Sequence, residues 1–369
     1  MKKVAIVINT SWNIFNFRMS LVKALQDEGM EVYAIAPEDK YSHRLTEKGC
    51  HYVPVAMQSS GANPLHEAGV FYNLYQAYKQ VQPDVILHYT IKPNLYGTVA
   101  AHLLGIPCIN NVSGLGTAFL SNSMVAKVAR RLYRVAFRFP NKVFFQNADD
   151  RNLFLKFGIV APEITAVIPG SGIDTVRFSP NGQHVNKEFT FLVISRLLYD
   201  KGLLEYADAV RLLKQKGIRA KFQLLGAADP GHRRGIPLET LNEWIDEKLI
   251  DYLGTTDDVL PLIHKADCVV LPSYREGTPR TLLEAASAAK PIVATDVAGC
   301  NNVVTDGYNG FLCKHHDAED LADKMLKMYE LDDEQRKTLA QNSRRTAVDR
   351  FDEKIVIRHY MDAIREINP

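Results

Sequence analysis

The sequence predicts an α/β protein built from two doubly wound domains in tandem, and three observations carry that prediction. At 369 residues the chain is longer than one hydrophobic core usually organises. Short apolar runs alternate with longer amphipathic stretches, the pattern of parallel strands joined by helical crossovers. The alternation halts at a polar stretch, SPNGQHVNKE (179–188), and then begins again, which marks a linker.

In the first domain, residues 1–180, strands are expected at VAIVI, EVYAIA, VILHY, PCINNV and KVFFQ. Helices are expected at FRMSLVKALQDEG, FYNLYQAYKQV, NLYGTVAAHLLG and VAKVARRLYRVAFRF, with turns at Gly29, Pro83 and Gly105-Ile106-Pro107. In the second domain, residues 188–350, the strands are FTFLVIS, AKFQLLG, DYLG, DCVVLPS and PIVATD. Helices there run over GLLEYADAVRLLKQKG, LETLNEWIDEKL and the stretch after Thr278. The tail, FDEKIVIRHYMDAIREINP, has helical periodicity and is a candidate to cross back to the first domain at about 352–369.

Composition narrows the function. Residues 1–180 carry 18 Lys and Arg against 12 Asp and Glu, a charge of +6, and residues 181–369 carry 26 against 30, a charge of −4. The first half is therefore the partner for something anionic, although nucleic acid would call for more positive charge. Five scattered cysteines without paired spacing argue against a disulfide framework or a zinc site and fit the cytosol. MKKVAIVINT is too short for a signal-peptide core, and no run approaches the ~18 apolar residues of a spanning helix.

Ligands of open α/β sheets sit at the carboxyl ends of strands, so the residues after each strand carry the chemistry. After FLVI comes SRLLYDKG, where Arg196 and Lys201 supply two cations suited to a diphosphate, one a planar fork and the other a point charge. The alternative is a pair of surface cations, with Lys201 merely opening a helix. After VVLPS comes YREGTPRTLLEA, in which Thr278 reads as an N-cap and Pro279 as the first helical residue, a helix start that favours an anion. Gly277 allows close backbone approach. Glu276 and Glu284 are then acids beside a phosphate site, a position in which carboxylates address neutral hydroxyls. The plainer alternative is an acid near a cap and an ordinary helical glutamate. A glycosidase pair does not fit, because hydrolytic acids flank a bond rather than border a diphosphate cradle.

REGTPRTLLEAASAAKPIVATDVAGC with DGYNGFL, SRLLYDKG, and IPGSGIDTVRFSP together resemble the retaining family 4 glycosyltransferases. The resemblance implies a GT-B fold, two Rossmann-like domains with acceptor in the first, nucleotide sugar in the second and reaction in the cleft between. It implies that Arg196 and Lys201 hold the donor diphosphate, that Glu276 contacts the transferred sugar and that Glu284 takes the ribose. Backbone after Gly277 would support the phosphate, and Gly226 with YLGTTDDV would lie near the base. NTSWNIFNFRMSLVKAL lacks the Gly-Gly pair many members carry after the first strand. With HYTIKPNLYGTVAA and NNVSGLGTAF it is similar to the subgroup that extends undecaprenyl-diphosphate-linked sugars, including bacterial α-1,3-N-acetylgalactosaminyltransferases. Arg18 and Lys92 are then candidates for the acceptor diphosphate and His88 for the acceptor or reaction centre, each with an alternative as a structural or surface residue.

KVARRLYRVAFRFPNK, within 127–142, spaces Arg130, Arg134 and Arg138 at helical intervals with Leu132, Val135, Phe137 and Phe139 between them. It reads either as a surface resting on anionic lipid or as a core-facing helix with solvated arginines. No Asp-x-Asp follows a strand, so no metal is expected; the resemblance implies no cofactor but a nucleotide-sugar donor as substrate, with UDP the expected nucleotide. The resemblance thus implies metal-independent transfer, with retention, of a UDP-linked N-acetylhexosamine to a lipid-linked saccharide, expected at the inner face of the membrane. A UDP-sugar 2-epimerase of the same architecture and a non-catalytic nucleotide-sugar-binding protein are the alternatives.

Overall fold

A computed structural model describes residues 1–57, 64–115, 124–182, 187–229 and 231–367. The Gly116–Phe119 end of NNVSGLGTAF and the middle of the expected linker, 183–186, lie outside the described residues. The chain divides into two compact units, Met1–Ser171 with Glu353–Pro369, and Gly172–Asp352.

The first unit holds a seven-stranded parallel sheet in the order β3-β2-β1-β4-β5-β6-β7. Its strands are β1 (Lys3–Val7), β2 (Glu31–Ala36), β3 (His51–Pro54), β4 (Val85–Tyr89), β5 (Cys108–Val112), β6 (Lys142–Phe145) and β7 (Thr165–Val167). The period of two along a strand sends alternate side chains to opposite faces. Val4 and Ile6 pack with Leu21 and Leu25, while Ala5 and Val7 pack with Leu74 and Tyr78. Both faces are covered, which is why these strands read as nearly unbroken apolar runs.

The first face also takes Tyr360 and Ile364 from the helix Glu353–Ile367, so the tail completes the core of the first unit. Asn111 Nδ2 donates to Tyr360 Oη at 2.9 Å, and Arg365 pairs with Glu28 at 3.1 Å. Asp352 is extended (φ −57°, ψ 134°) and separates this helix from the preceding one, Asp333–Phe351.

The second unit holds a six-stranded parallel sheet in the order β10-β9-β8-β11-β12-β13. Its strands are β8 (Phe189–Ile194), β9 (Ala220–Leu225), β10 (Asp251–Tyr252), β11 (Cys268–Leu271), β12 (Ile292–Thr295) and β13 (Gly310–Cys313). Phe191 and Val193 pack with Leu213 and Met325, and Leu192 and Val269 pack with Leu283 and Phe351. The chain enters this unit at Gly172, ahead of the polar stretch read as a linker, because Ile173 and Phe178 fill its core.

Several elements differ from expectation. The helix expected from Phe17 is Met19–Asp27, and a further helix, Ser11–Phe17, precedes it across a break at Arg18, started by Thr10, whose side chain accepts from Asn13 N at 3.2 Å. Strands β3, β7 and β13 are only four, three and four residues long, too short to stand out in sequence. Among the described residues no helix is long and apolar enough to cross a membrane.

Each strand order reverses once, between β1 and β4 in the first sheet and between β8 and β11 in the second. At such switch points the loops leave in opposite directions and open a crevice at the carboxyl edge.

Candidate active site

The crevice of the second sheet is bordered by the loops that follow β8 and β11, and local chemistry holds those loops together. The loop after β8 closes in a short 3-10 turn, Tyr199–Lys201, ended by Gly202 at φ +66°. A Cβ at Gly202 would lie 2.0 Å from the Pro272 carbonyl oxygen, so only glycine allows the two loops to meet. Tyr274 N donates to Asp200 O at 2.9 Å across the same contact. Gly226, at the end of β9, packs as closely: a Cβ there would meet Ser195 O at 1.7 Å. Its carbonyl accepts from Tyr252 Oη at 2.9 Å, and its N–H donates to Gly254 O at 2.8 Å.

Into this frame project the charged residues. Lys201 Nζ forms an ion pair with Glu276 Oε1, the side chains being 20% and 14% exposed. Glu276 is fixed from behind by its N–H, which donates to Ala298 O in the loop after β12 at 3.1 Å. Arg196, on the loop after β8, is exposed and makes no hydrogen bond or ion pair through its side chain among the described residues. Ser195 Oγ and Ser273 Oγ, just past the ends of β8 and β11, are buried without a hydrogen-bond partner among the described residues. Orphaned polar atoms of this kind mark places where a ligand or water completes the structure.

The helix that follows begins one residue later than expected. It spans Arg280–Ser287, and Pro279 (φ −70°, ψ 116°) stands at the N-cap rather than Thr278. The proline carbonyl accepts the first helical bond, from Leu282 N at 3.0 Å, while its ring offers no capping oxygen. Thr281 Oγ1 donates to Ile194 O at 3.0 Å and pins the helix start to the end of β8. Gly277 and Thr278 therefore form the turn between Glu276 and the helix.

Glu284 is buried within that helix, where Arg280 Nε donates to its Oε1 at 3.1 Å. Burial raises the Glu284 carboxyl, and the guanidinium one turn away pulls it back down. Sequence reading missed this pair although its i, i+4 spacing was the available signal. It also missed Tyr274, whose hydroxyl donates to Glu205 Oε1 and Oε2 at 2.8 and 2.9 Å beneath the ring of His316 at 3.6 Å. Arg234, which pairs with Asp200, was missed as well. These partners come from elements distant in sequence, Glu205 from the helix Leu203–Gln215, and no spacing signals them. Among the described residues no group of three His, Cys, Asp or Glu side chains is arranged to hold a metal ion.

The first-unit residues fare differently from one another. His88 is 0% exposed, with Nδ1 bonded to Asn110 Oδ1 and Nε2 to the Tyr78 hydroxyl, each at 3.0 Å. With both ring nitrogens occupied inside the sheet, His88 does not reach an acceptor or a reaction centre, a correction to the sequence reading. Lys92 Nζ pairs with Glu67 Oε1 at 2.6 Å, both side chains largely buried, which neutralises the cation assigned to a diphosphate. Arg18 is 6% exposed, stacks 4.4 Å above the Tyr89 ring, and has no acidic partner among the described residues. A buried charge without a counter-ion is costly, so Arg18 remains suited to an anion.

Burial pushes the His88 imidazole down from 6.5 to about 4, opposed by the Asn110 hydrogen bond. Between those values the unfolded chain binds a proton that the folded chain refuses. Stability contributed by neutral His88 is thus full above 6.5 and falls as pH drops toward 4, by roughly 3 kcal/mol at ~1.36 kcal/mol per unit. Urea midpoints measured from pH 7 to 4.5 are expected to decline more steeply for the wild type than for His88→Gln; equal slopes contradict the assignment.

Comparison with known proteins fits this geometry. Residues 3–147 match the family model "Glycosyl transferase 4-like", and residues 176–346 match "Glycosyl transferases group 1". The chain is 29% identical to the N,N'-diacetylbacillosaminyl-diphospho-undecaprenol alpha-1,3-N-acetylgalactosaminyltransferase of Campylobacter jejuni, over 97% of both chains. It is 24% identical to the UDP-Gal:alpha-D-GlcNAc-diphosphoundecaprenol alpha-1,3-galactosyltransferase of Escherichia coli, over 76% of this chain and 74% of the relative. Among solved structures, Anabaena HepE in complex with UDP superimposes with a TM-score of 0.80 at 20% identity, covering 99% of this chain and 100% of that one. The Campylobacter and Escherichia relatives are glycosyltransferases, and the epimerase alternative finds no support among them. The chain belongs to the GT-B glycosyltransferases of the family 4 type, its two family models together spanning most of both units.

Proposed function

We propose that the protein transfers an N-acetylhexosamine from a UDP-linked donor, with retention of configuration, to an N-acetylated sugar joined through diphosphate to undecaprenol. The observation that carries this reading is the convergence of Lys201 and Glu276 at the switch point of the second sheet, with Arg196 on the same loop as Lys201. The activities for which the Campylobacter and Escherichia relatives are named suggest the acceptor class, since both acceptors are N-acetylated sugars on diphosphoundecaprenol.

In this reading the donor diphosphate competes with Glu276 for Lys201. The ion pair opens, Lys201 turns to phosphate beside Arg196, and the released carboxylate accepts hydrogen bonds from hydroxyls of the transferred sugar. Glu284, oriented by Arg280, addresses the ribose hydroxyls, and backbone at Gly226 and Gly254 lies by the base. As the sugar–phosphate bond breaks, charge grows on the leaving UDP, where Arg196, Lys201 and the helix start at Arg280 stabilise it in place of a metal ion. The acceptor hydroxyl attacks from the same face, and its proton passes to a donor phosphate oxygen. Arg18 is the cation left for the acceptor diphosphate. A screen of UDP-sugars against short polyprenyl-diphosphate-linked N-acetylhexosamines, read as UDP release and product mass, tests the assignment; release of UDP without a new glycosidic product would overturn it.

The same reading places the protein on the cytoplasmic face of the membrane, in keeping with five free, buried cysteines. Helix Met124–Ala136 exposes Met124, Val128, Leu132 and Val135 at i, i+4, i+8 and i+11, next to exposed Lys127 and Arg131. Arg130 and Arg134 instead anchor to Phe157, the one over its ring at 5.0 Å and the other donating to its carbonyl at 2.9 Å. Phe137, read from sequence as part of this surface, is buried. An exposed aliphatic stripe edged with cations matches an anionic lipid surface, each cation adding about 1 kcal/mol. Val128→Asp with Leu132→Asp is expected to cut co-sedimentation with phosphatidylglycerol vesicles at least tenfold while leaving the melting temperature within a few degrees; unchanged sedimentation contradicts the docking.

A further inference from the structure

The carboxyl edge of the first sheet holds a cavity of about 230 Å³ at its own switch point, lined by Asn9, Thr90, Lys92, Asn94, Ser113 and Tyr133 among others. Three features of its wall are unusual. Thr90 has φ +65°, a conformation that β-branched residues rarely adopt and that clusters where function over-determines the backbone. Residues Pro93–Gly97 wind as a π-helical turn rather than an α-helix, a distortion frequent at ligand sites. Thr90 Oγ1 and Asn94 Oδ1 are buried without a hydrogen-bond partner among the described residues, and Asn94 is 1% exposed. Its Nδ2 is already committed to Asn111 O at 2.8 Å, which fixes the amide and leaves Oδ1 to accept from something else.

The charge of the wall decides what that is. Among the described residues that line it, Lys92 is the one charged side chain and Glu67 neutralises it, so this wall offers neutral polar groups and no uncompensated cation. That chemistry suits a neutral ring bearing O–H and N–H groups and disfavours a phosphate. The volume falls below the ~300–1,000 Å³ of pockets that enclose whole drug-sized ligands, which fits one sugar ring and not a lipid-linked chain.

We propose that this cavity binds the N-acetylated sugar ring of the acceptor, with Asn94 Oδ1 accepting from its acetamido N–H and Thr90 Oγ1 bonding a ring hydroxyl. The assignment rests on the acceptor class proposed above and moves Lys92 from diphosphate binding to shaping the wall.

Two measurements test it. Saturation-transfer NMR with the methyl glycosides of N-acetylglucosamine and N-acetylgalactosamine reports binding without turnover. Initial rates with a short polyprenyl-diphosphate-linked N-acetylhexosamine report acceptor and donor KM separately. Thr90→Val and Asn94→Ala are each expected to weaken glycoside binding and raise acceptor KM about tenfold, with donor KM within twofold of wild type. Thr90→Ser, which restores the hydroxyl, is expected to recover both. Folded Thr90→Val with unaltered glycoside binding and acceptor KM would show that the cavity holds only water, and a rise confined to donor KM would assign the ring to the donor; either result overturns the proposal. Glycoside binding that depends on Thr90, in a protein that transfers nothing to lipid-linked acceptors, would keep the subsite and remove the acceptor reading.

Discussion

Replacing Lys201 by alanine is expected to lower turnover by roughly two to three orders of magnitude, the ~2.7–4 kcal/mol that one preorganised donor to a developing anion contributes. The fold should survive, because Lys201 ends a short turn held by backbone bonds of its own: its N–H donates to Leu198 O at 3.0 Å, and Gly202 N donates to Tyr199 O at 3.0 Å. The lost side chain leaves Glu276 without this partner, and the space vacated beside its partly exposed carboxylate admits water. Turnover by UDP release and melting by circular dichroism check the two halves of the expectation. A variant within threefold of wild-type turnover would remove Lys201 from the diphosphate cradle. Lys201→Arg, which keeps the charge and changes its reach, should fall between the two.

Glu276→Gln separates the two duties of the ion pair. Glutamine preserves a hydrogen-bonding side chain of the same length and deletes the charge that occupies Lys201 before the donor arrives. Turnover is expected to drop about a hundredfold through loss of the carboxylate facing the sugar. UDP, which has no sugar for Glu276 to read, is expected to bind several-fold more tightly, because Lys201 no longer leaves a charged partner to meet phosphate. Calorimetry with UDP alongside initial rates reads both. Weaker UDP binding in this variant would mean that the glutamate supports the diphosphate rather than competing with it.

Much of the candidate site's geometry was legible because its residues lie in two contiguous segments, each at the end of a strand. Arg196 and Lys201 sit on one loop, Glu276 on another that runs into the helix carrying Glu284, and the rule for strand ends in parallel sheets brings the two segments together without any structure. The helix start was misplaced by one residue because Thr278 and Pro279 satisfy different halves of the N-terminal preference; the structure sets the proline at the cap. In the first unit the strand VILHY ends at Tyr89 as expected, but His88, one residue short of that edge, turns inward toward Tyr78 and Asn110, which the strand-end rule does not foresee. The Lys92–Glu67 pair was unreadable, since Glu67 lies on a helix well separated in sequence and only the packing of that helix brings it near. The cavity beside it left no trace in sequence, for a threonine at positive φ is spelled like any other threonine.

Because Tyr360 and Ile364 belong to the core of the first unit, the second unit is an insertion in it, entered at Gly172 and left at Asp352. During synthesis the ribosome must therefore make all of Gly172–Asp352 before the first sheet receives the helix that seals one of its faces. Nascent chains paused within that interval carry a bare apolar surface around Val4, Leu21 and Leu25, the kind of surface that holdase chaperones shield. The order of translation, and not only the final contacts, thus sets when the amino-terminal half becomes stable.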